Sequence, residues 1–381
     1  MDKVYLKDTP SYDVETVYNS IKEIMLYCGV DRSVDSSTTI LLKPNMLSRS
    51  APDKAVTTHP TVVEQVIVLL KEFGAKAENI TLADSSGGPQ NPAVLAANYK
   101  TCGFAQVAER QGVNLYTRLD AVTVKTDGVM VKEFELIAPA VNCDMVINLP
   151  KFKTHVMTGM SCAVKNLFGC VPGLKKAEFH MRFPVKENFA EMIVDLESAV
   201  KPALTIVDGI VAMEGDGPGG GIPKQLGLMM GGSDCHLIDL VAANIIGFNP
   251  NNPPILSAAI KRGLVPERLT EDMLAGDTER RQRVKDWVLP ASYSVDFSHR
   301  VPRALRWATP AVEKLMAPKP KIIKPKCIGC RQCRNICPQH TITIKNKKAV
   351  INMDNCIRCF CCHEMCPAKA IDVKRNIFFN I

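Results

Sequence analysis

Two stretches near the C-terminus decide the architecture. They are Cys327-Ile328-Gly329-Cys330-Arg331-Gln332-Cys333-Arg334-Asn335-Ile336-Cys337-Pro338 and Cys356-Ile357-Arg358-Cys359-Phe360-Cys361-Cys362-His363-Glu364-Met365-Cys366-Pro367. Each reads C-x2-C-x2-C-x3-C-P, and the second lies 29 residues after the first. The same offset superimposes Ile328 on Ile357 and Ile342 on Ile371. Three thiolates two residues apart wrap a tight loop around one face of an inorganic cube, where backbone N–H groups offset the sulfur charge. The fourth, followed by a chain-turning Pro, ligates the neighbouring cube. The spacing therefore predicts two 4Fe–4S clusters. One is assigned to Cys327, Cys330, Cys333 and Cys366, the other to Cys356, Cys359, Cys362 and Cys337. Structural zinc uses two C-x2-C pairs rather than a run of four cysteines. Disulfides do not suit a chain without an export signal.

Working outward, 381 residues can bury a large core and divide into more than one domain. The start of the chain has no basic region followed by an apolar stretch, and no run of about 18 apolar residues occurs. A cytoplasmic location follows, with an anaerobic source because such clusters oxidise readily. From Lys319 to Ile381 there are thirteen Lys or Arg against three Asp or Glu, although the whole chain carries only +8. This basic end suits anionic clusters and an acidic soluble redox partner better than nucleic acid, since no aromatic-interleaved or recognition-helix pattern accompanies it.

The first 300 or so residues alternate β-branched apolar runs with helical periodicity, which predicts an α/β domain over 1–316. Strands are expected at Thr38–Leu42, Ile80–Ala83, Asp144–Leu149, Leu204–Val207 and Leu226–Met230. Helices are expected at Val14–Cys28, Thr61–Phe73, Glu187–Val200 and Leu237–Ile246, with Pro60 in a first-turn position. Near-continuous apolar strands imply a mostly parallel sheet covered by helices on both faces. A helix interrupted by Pro310 is expected over Val301–Met316. A Pro/Lys linker follows over 317–326, then a small α+β domain over 327–381.

Polar motifs follow the apolar runs, at the sheet edge where open α/β folds bind ligands. They are Lys43-Pro44-Asn45, Asp84-Ser85-Ser86-Gly87-Gly88, Lys151-Phe152-Lys153-Thr154-His155, and Asp208-Gly209 with Glu214-Gly215-Asp216-Gly217. Each alone is an ordinary turn composition; together they suggest one cleft. Lys43, Asn45, Asp84, Lys151, Lys153 and Asn166 are candidate ligand-binding residues for a small anion. His155, Lys165 and Glu214 are candidate catalytic groups. Gly215, Gly217 and Gly220 match G-x-G-x-x-G, but Pro218 interrupts the match and no helix is expected to open after it, so the loop is read as a lid or a close backbone contact. Cys361, within the second stretch but outside its ligand pattern, is read as packing beside Phe360.

These residues make the chain resemble the domain of unknown function 362 family fused to a bacterial-type ferredoxin module with two 4Fe–4S clusters. The stretches that carry it are Leu42-Lys43-Pro44-Asn45, Thr58-His59-Pro60, Asp84 to Gly88, Asn148 to His155, Ala163-Val164-Lys165-Asn166-Leu167-Phe168-Gly169, Asp208-Gly209-Ile210 and Met213-Glu214-Gly215. The resemblance implies an iron–sulfur protein. His155, Gly159, Ser161 and Lys165 are also similar to an arrangement in the nickel-pincer lactate racemases. The rest of that pattern is absent, and those enzymes carry no ferredoxin module.

The expected function is that of an electron-transfer protein or oxidoreductase. It would pass electrons through both clusters to an anionic substrate or cofactor in the cleft, with a flavin or an additional metal there as a further expectation. The alternatives are an electron-delivery or maturation protein for a larger enzyme, and racemase-like chemistry.

Overall fold

The computed structural model describes residues 3–88, 91–292 and 318–374. The helix expected over Val301–Met316 lies outside them.

A ten-stranded mixed sheet forms the centre of the larger domain. Its parallel part runs β10 (Leu204–Glu214), β7 (Met145–Leu149), β2 (Ile40–Pro44), β3 (Ile80–Leu82) and β4 (Asn114–Leu115). On the other side of β10, β11 (Ile222–Gly232) and β1 (Val4–Asp8) continue antiparallel, and β12 (Leu274–Gly276) closes that edge alongside β1. Alternate residues of the same strands enter two cores. Ile40, Leu42, Ile147, Leu149 and Ile206 face one, with α1 (Val14–Tyr27) and α2 (Pro60–Glu72). Leu41, Val146 and Val207 face the other, with α7 (Lys186–Val200) and α8 (Cys235–Ile245). The period of two thus places helices on both faces. Burying each such side chain contributes about 1.5–3 kcal/mol.

The helices begin where their capping chemistry allows. Asp13 accepts from Thr16 N at 2.9 Å, and Asp234 accepts from His236 N and Leu237 N at 2.8 and 3.0 Å. Pro60 opens α2, where a missing N–H costs nothing.

Two expectations need correcting. The Lys151–His155 motif, expected to follow a strand at the sheet edge, is itself strand β8 (Lys151–His155), which pairs in parallel with β10 and turns back as β9 (Gly159–Ser161). Lysine-rich sequence hid a strand whose five residues are all buried. The proposed linker 317–326 is also not free chain throughout: β13 (Lys319–Ile322) pairs antiparallel with β16 (Ile371–Lys374) in the small domain. A second hairpin joins β14 (Ile342–Lys345) to β15 (Lys348–Ile351).

The 29-residue offset carries β13 onto β15 and β14 onto β16. It also relates the left-handed residues Gly329 to Arg358, Arg331 to Phe360 and His340 to Lys369. The small domain is therefore one backbone unit used twice, and Lys319–Ile322 is the first strand of the first unit.

Candidate functional site

The loops leaving β2 and β3 are tied together below the sheet edge. The Lys43 ammonium donates to Asp84 Oδ2 and to Pro44 O, both at 2.7 Å, and Met46 N donates to the same carboxylate at 3.0 Å. Tyr99 OH accepts from Asp84 N and donates to Asp84 O, fixing the loop from behind. Both charges of the Lys43–Asp84 pair are buried, so removing one would strand the other, at a cost of about 3–5 kcal/mol. A Cβ at Gly169 would collide with the Lys43 ammonium and lie 2.6 Å from Asp84 Oδ1. Any side chain at 169 would force the pair to shift.

A second buried pair joins Lys151 to Asp208 at 2.9 Å. Tyr12 OH accepts from Lys151 at 2.6 Å and donates to Asp208 at 2.8 Å. His59 N completes the carboxylate at 2.9 Å, and the His59 ring stacks on Tyr12 at 3.7 Å. Every charge in this group is satisfied by its neighbours, which marks it as a strut between β1, α2, β8 and β10.

A line of amides orients the next residues. Lys153 donates to Asn45 Oδ1 at 2.6 Å, Asn45 donates to Asn166 at 2.9 Å, and Asn166 donates to Asn148 at 2.8 Å. Asn148 ends the line on Ala163 O at 2.9 Å and Thr205 Oγ1 at 3.2 Å. Asn166 and Lys165 lie on the short helix α5 (Ala163–Asn166), whose first N–H groups donate to the buried Asp239 carboxylate.

These loops wall a cavity of about 80 Å³ between the two domains. Asn45, Asp84, Lys153, Lys165 and Asn166 line it from the larger domain. Lys176 and His180 enter from α6 (Gly173–Arg182). Ile336, Cys361, Glu364 and Met365 close it from the small domain. Ile336 and Met365 stand 29 residues apart, each just before the fourth cysteine of its run. A wider groove shares Gly87, Ile336, Glu364 and Met365 with the cavity and leads outward.

The electrostatics are dominated by enclosure. Burial, reinforced by the Lys165 charge, lowers Lys153 to about 7. Burial likewise lowers Lys176 to about 7, against the attraction of Asp84. Lys176 donates to Ser85 O. Lys165 is lowered by burial while Glu364 favours its charged form. No hydrogen bond or ion pair to its ammonium occurs among the described residues, and its nearest ring contact is Phe168 at 5.9 Å. His155 is lowered to about 4 by burial and by Lys165, so its ring is neutral at pH 7. Its Nδ1 accepts from Met157 N and Thr158 N at 3.1 and 3.3 Å, which leaves the proton on Nε2. That atom lies 3.2 Å from Glu364 Oε1 but off the direction of a hydrogen bond, so neither has a partner. Burial would raise Glu364, yet His155, Lys165 and His180 outweigh it and hold the carboxyl at about 2. His180 Nδ1 is a third buried atom without a partner at this cavity.

Of the residues singled out from sequence, five line the cavity. Lys43 and His155 stand directly behind it. Lys151 belongs to the strut, and Glu214 lies elsewhere: its carboxylate accepts from Val288 N at 2.9 Å and sits 3.6 Å from Lys224. The glycine-rich loop after Glu214 is a domain contact. Asp216 O lies 3.0 Å from His363 Nε2, and a Cβ at Gly220 would come within 2.6 Å of that ring. Sequence reasoning missed Glu364, Lys176 and His180.

The cysteines of the small domain gather in two groups. Cys327, Cys330, Cys333 and Cys366 line one hollow. Cys337, Cys356, Cys359 and Cys362 line another, together with Cys361. Ala349 N and Ala370 N point at Cys327 and Cys366 Sγ at 3.5 and 3.2 Å. Two hollows, each with three thiols from one run and one from the other, fit two cubanes. Among the described residues no three His, Cys, Asp or Glu converge on one metal ion, so no ligand set in the cavity fits the additional metal considered from sequence. A cubane makes no such demand, since each thiolate takes a different iron.

The chain matches a domain of unknown function, DUF362, over residues 40–244 and a 4Fe-4S dicluster domain over residues 319–367. It is 34% identical over 314 residues to a thylakoid-associated protein of Synechocystis, covering 80% of this chain and 92% of that one. Among solved structures it is similar to the lactate racemase apoprotein of Thermoanaerobacterium thermosaccharolyticum, at 12% identity and a TM-score of 0.36. That match covers 56% of this chain and 51% of the racemase, a likeness too slight to carry an argument. The dicluster domain implies two 4Fe–4S clusters and electron transfer, and no helix among the described residues is long and apolar enough to cross a membrane. The chain belongs to the DUF362 family and joins that domain to a C-terminal 4Fe–4S dicluster domain.

Proposed function

We propose that the protein is an iron–sulfur oxidoreductase that reduces a small anionic ligand held in the cavity between its domains. One observation carries the reading. The Lys165 ammonium and the buried His180 Nδ1 line this cavity without a hydrogen-bond partner among the described residues, and the Glu364 carboxylate there meets only His155 Nε2 from behind, at 3.2 Å and off the direction of a hydrogen bond. Buried polar groups are nearly always paired, so a cluster of exceptions at one cavity marks a polar ligand. The cations favour a carboxylate or phosphate oxygen. Glu364, ionised, accepts from an O–H or N–H of the same ligand.

When bound, the two clusters supply single electrons in succession, which matches a two-electron reduction balanced by two protons. The protein's own residues bind, orient and protonate. Lys165 takes the anionic group. Asn166, held by Asn45 and Asn148, presents a fixed amide beside it. Lys153 and Lys176, each near 7, can hold or release a proton at neutral pH. Cys361 lines both the cavity and the hollow formed by Cys337, Cys356, Cys359 and Cys362, which supports a short path between them. The reducing equivalents come from a soluble one-electron carrier in the cytoplasm. The thylakoid association of the relative suits peripheral attachment of such a protein to a membrane.

The test is a panel of hydroxy- and keto-carboxylates and phosphate esters. Each is titrated into anaerobically purified protein by calorimetry, then assayed with chemically reduced protein. Lys165→Ala should weaken binding of the best anion at least about tenfold, as loss of a charge-assisted contact requires, with iron content unchanged. Unaltered binding in Lys165→Ala would remove the cavity from the reaction.

A further inference from the structure

We propose that the solvent-facing cluster loop of the first repeat, with the helix after it, is the docking site for an acidic one-electron carrier protein. The inference is independent of what occupies the cavity. Ile328 is 68% exposed and Cys330 is exposed beside it, whereas their counterparts Ile357 and Cys359 are partly covered. The short helix α10 (Gln332–Ile336) likewise exposes Gln332, Arg334 and Asn335, while α11 (Cys361–Glu364) buries Cys361 and His363 against the larger domain. The hollow of Cys327, Cys330, Cys333 and Cys366 is therefore the one with a ligand at the surface.

The surroundings of that ligand have one sign. Between residues 318 and 353 there are nine Lys or Arg and no Asp or Glu. Lys326 and Arg331 flank the loop and are exposed. Lys348 donates to Cys327 O at 2.6 Å, and the Lys347 carbonyl packs so closely on Gly329 that a Cβ there would collide with it. Asn346 and Lys347 both have positive φ, the geometry of a tight hairpin turn, which sets Lys345 and Lys347 at the rim of the loop. An apolar tip beside a redox ligand, ringed by cations, is complementary to a partner whose redox centre sits in an acidic ring. A lipid surface would call for a broader apolar face than one isoleucine. In the transfer the reduced carrier loses one electron and this chain gains it, and no bond is made or broken.

Flavodoxin, an acidic one-electron carrier, is the probe. Its oxidised form is titrated by calorimetry into the cluster-loaded protein at low and high salt. Binding at low salt should weaken at least about tenfold at high salt. The Lys326→Glu/Arg331→Glu variant should weaken it at least as much at low salt, with its iron content and visible spectrum unchanged. Lys100→Glu, an exposed reversal on the larger domain, should leave it unaltered. The salt series needs no variant, so misfolding cannot mask the answer. Absence of flavodoxin binding, salt-insensitive binding, or equal loss in Lys100→Glu would overturn the proposal. So would sedimentation of the protein with phosphatidylglycerol vesicles, lost in the double variant, when flavodoxin does not bind.

Discussion

The two halves of the small domain share a backbone and face different worlds. Position by position, Arg331, Gln332, Arg334 and Asn335 of the first half correspond to Phe360, Cys361, His363 and Glu364 of the second. The first set is exposed and polar or basic. In the second, three residues are buried, and Glu364 reaches the cavity. Both halves keep the cysteine spacing and the left-handed residues the cluster loops need. What lies between those fixed points has followed its environment. A symmetric pair of metal loops thereby acquires a direction, with one end open to solvent and the other sealed against the cavity.

The largest effect should come from the fixed points. Cys356→Ser should remove one cluster, about four irons per chain, as read by iron analysis and electron paramagnetic resonance. Cys361→Ser, one position before a ligand in the same half, should leave the iron unchanged. Equal iron loss in both would break the distinction between ligand and wall. A smaller effect separates His363 from its exposed counterpart. His363 Nδ1 lies 2.6 Å from Ile371 O and Nε2 lies 3.0 Å from Asp216 O. His363→Ala should cost about 1–3 kcal/mol in urea unfolding, from lost bonds and orphaned carbonyls. Arg334→Ala should stay within about 0.5 kcal/mol. If both changes cost the same, the second half is not sealed against the larger domain. The smallest effect is a pH dependence confined to the sealed side. A lysine titrating near 7 is cationic below that pH and neutral above it, so Lys153 and Lys176 lose charge as pH rises from 6 to 8. Anion affinity at the cavity should fall by up to about tenfold over that range, measured by calorimetry. A rise in affinity would reverse the sign assigned to these groups.

Much of this was legible in the chain. Lys43, Asn45 and Asp84 were visible as polar groups following apolar runs, although each motif alone has an ordinary turn composition. The dicluster character was legible in the cysteine spacing alone. Lys151 and Lys153 were visible as residues but not as a strand, because buried lysine paired with carboxylate or amide breaks the hydrophobic pattern that marks strands. Lys319–Ile322 was hidden by its Pro and Lys content, though the 29-residue offset aligns Lys319 with Lys348 and Ile322 with Ile351. Glu364, Lys176 and His180 carried no local signal: they reach the cavity by domain docking and by a helix with an unremarkable pattern. Glu214 misled for the opposite reason, since a Gly-rich acidic loop looks like a site and serves as a seam.

The empty corner at Gly169 has a consequence for substitution in this chain. An added carbon there strikes both members of the Lys43–Asp84 pair, so the backbone at 169 and the two charges are mechanically coupled. Gly169→Ala therefore presses on both charges at once and can be accommodated only if the Lys43–Asp84 pair moves.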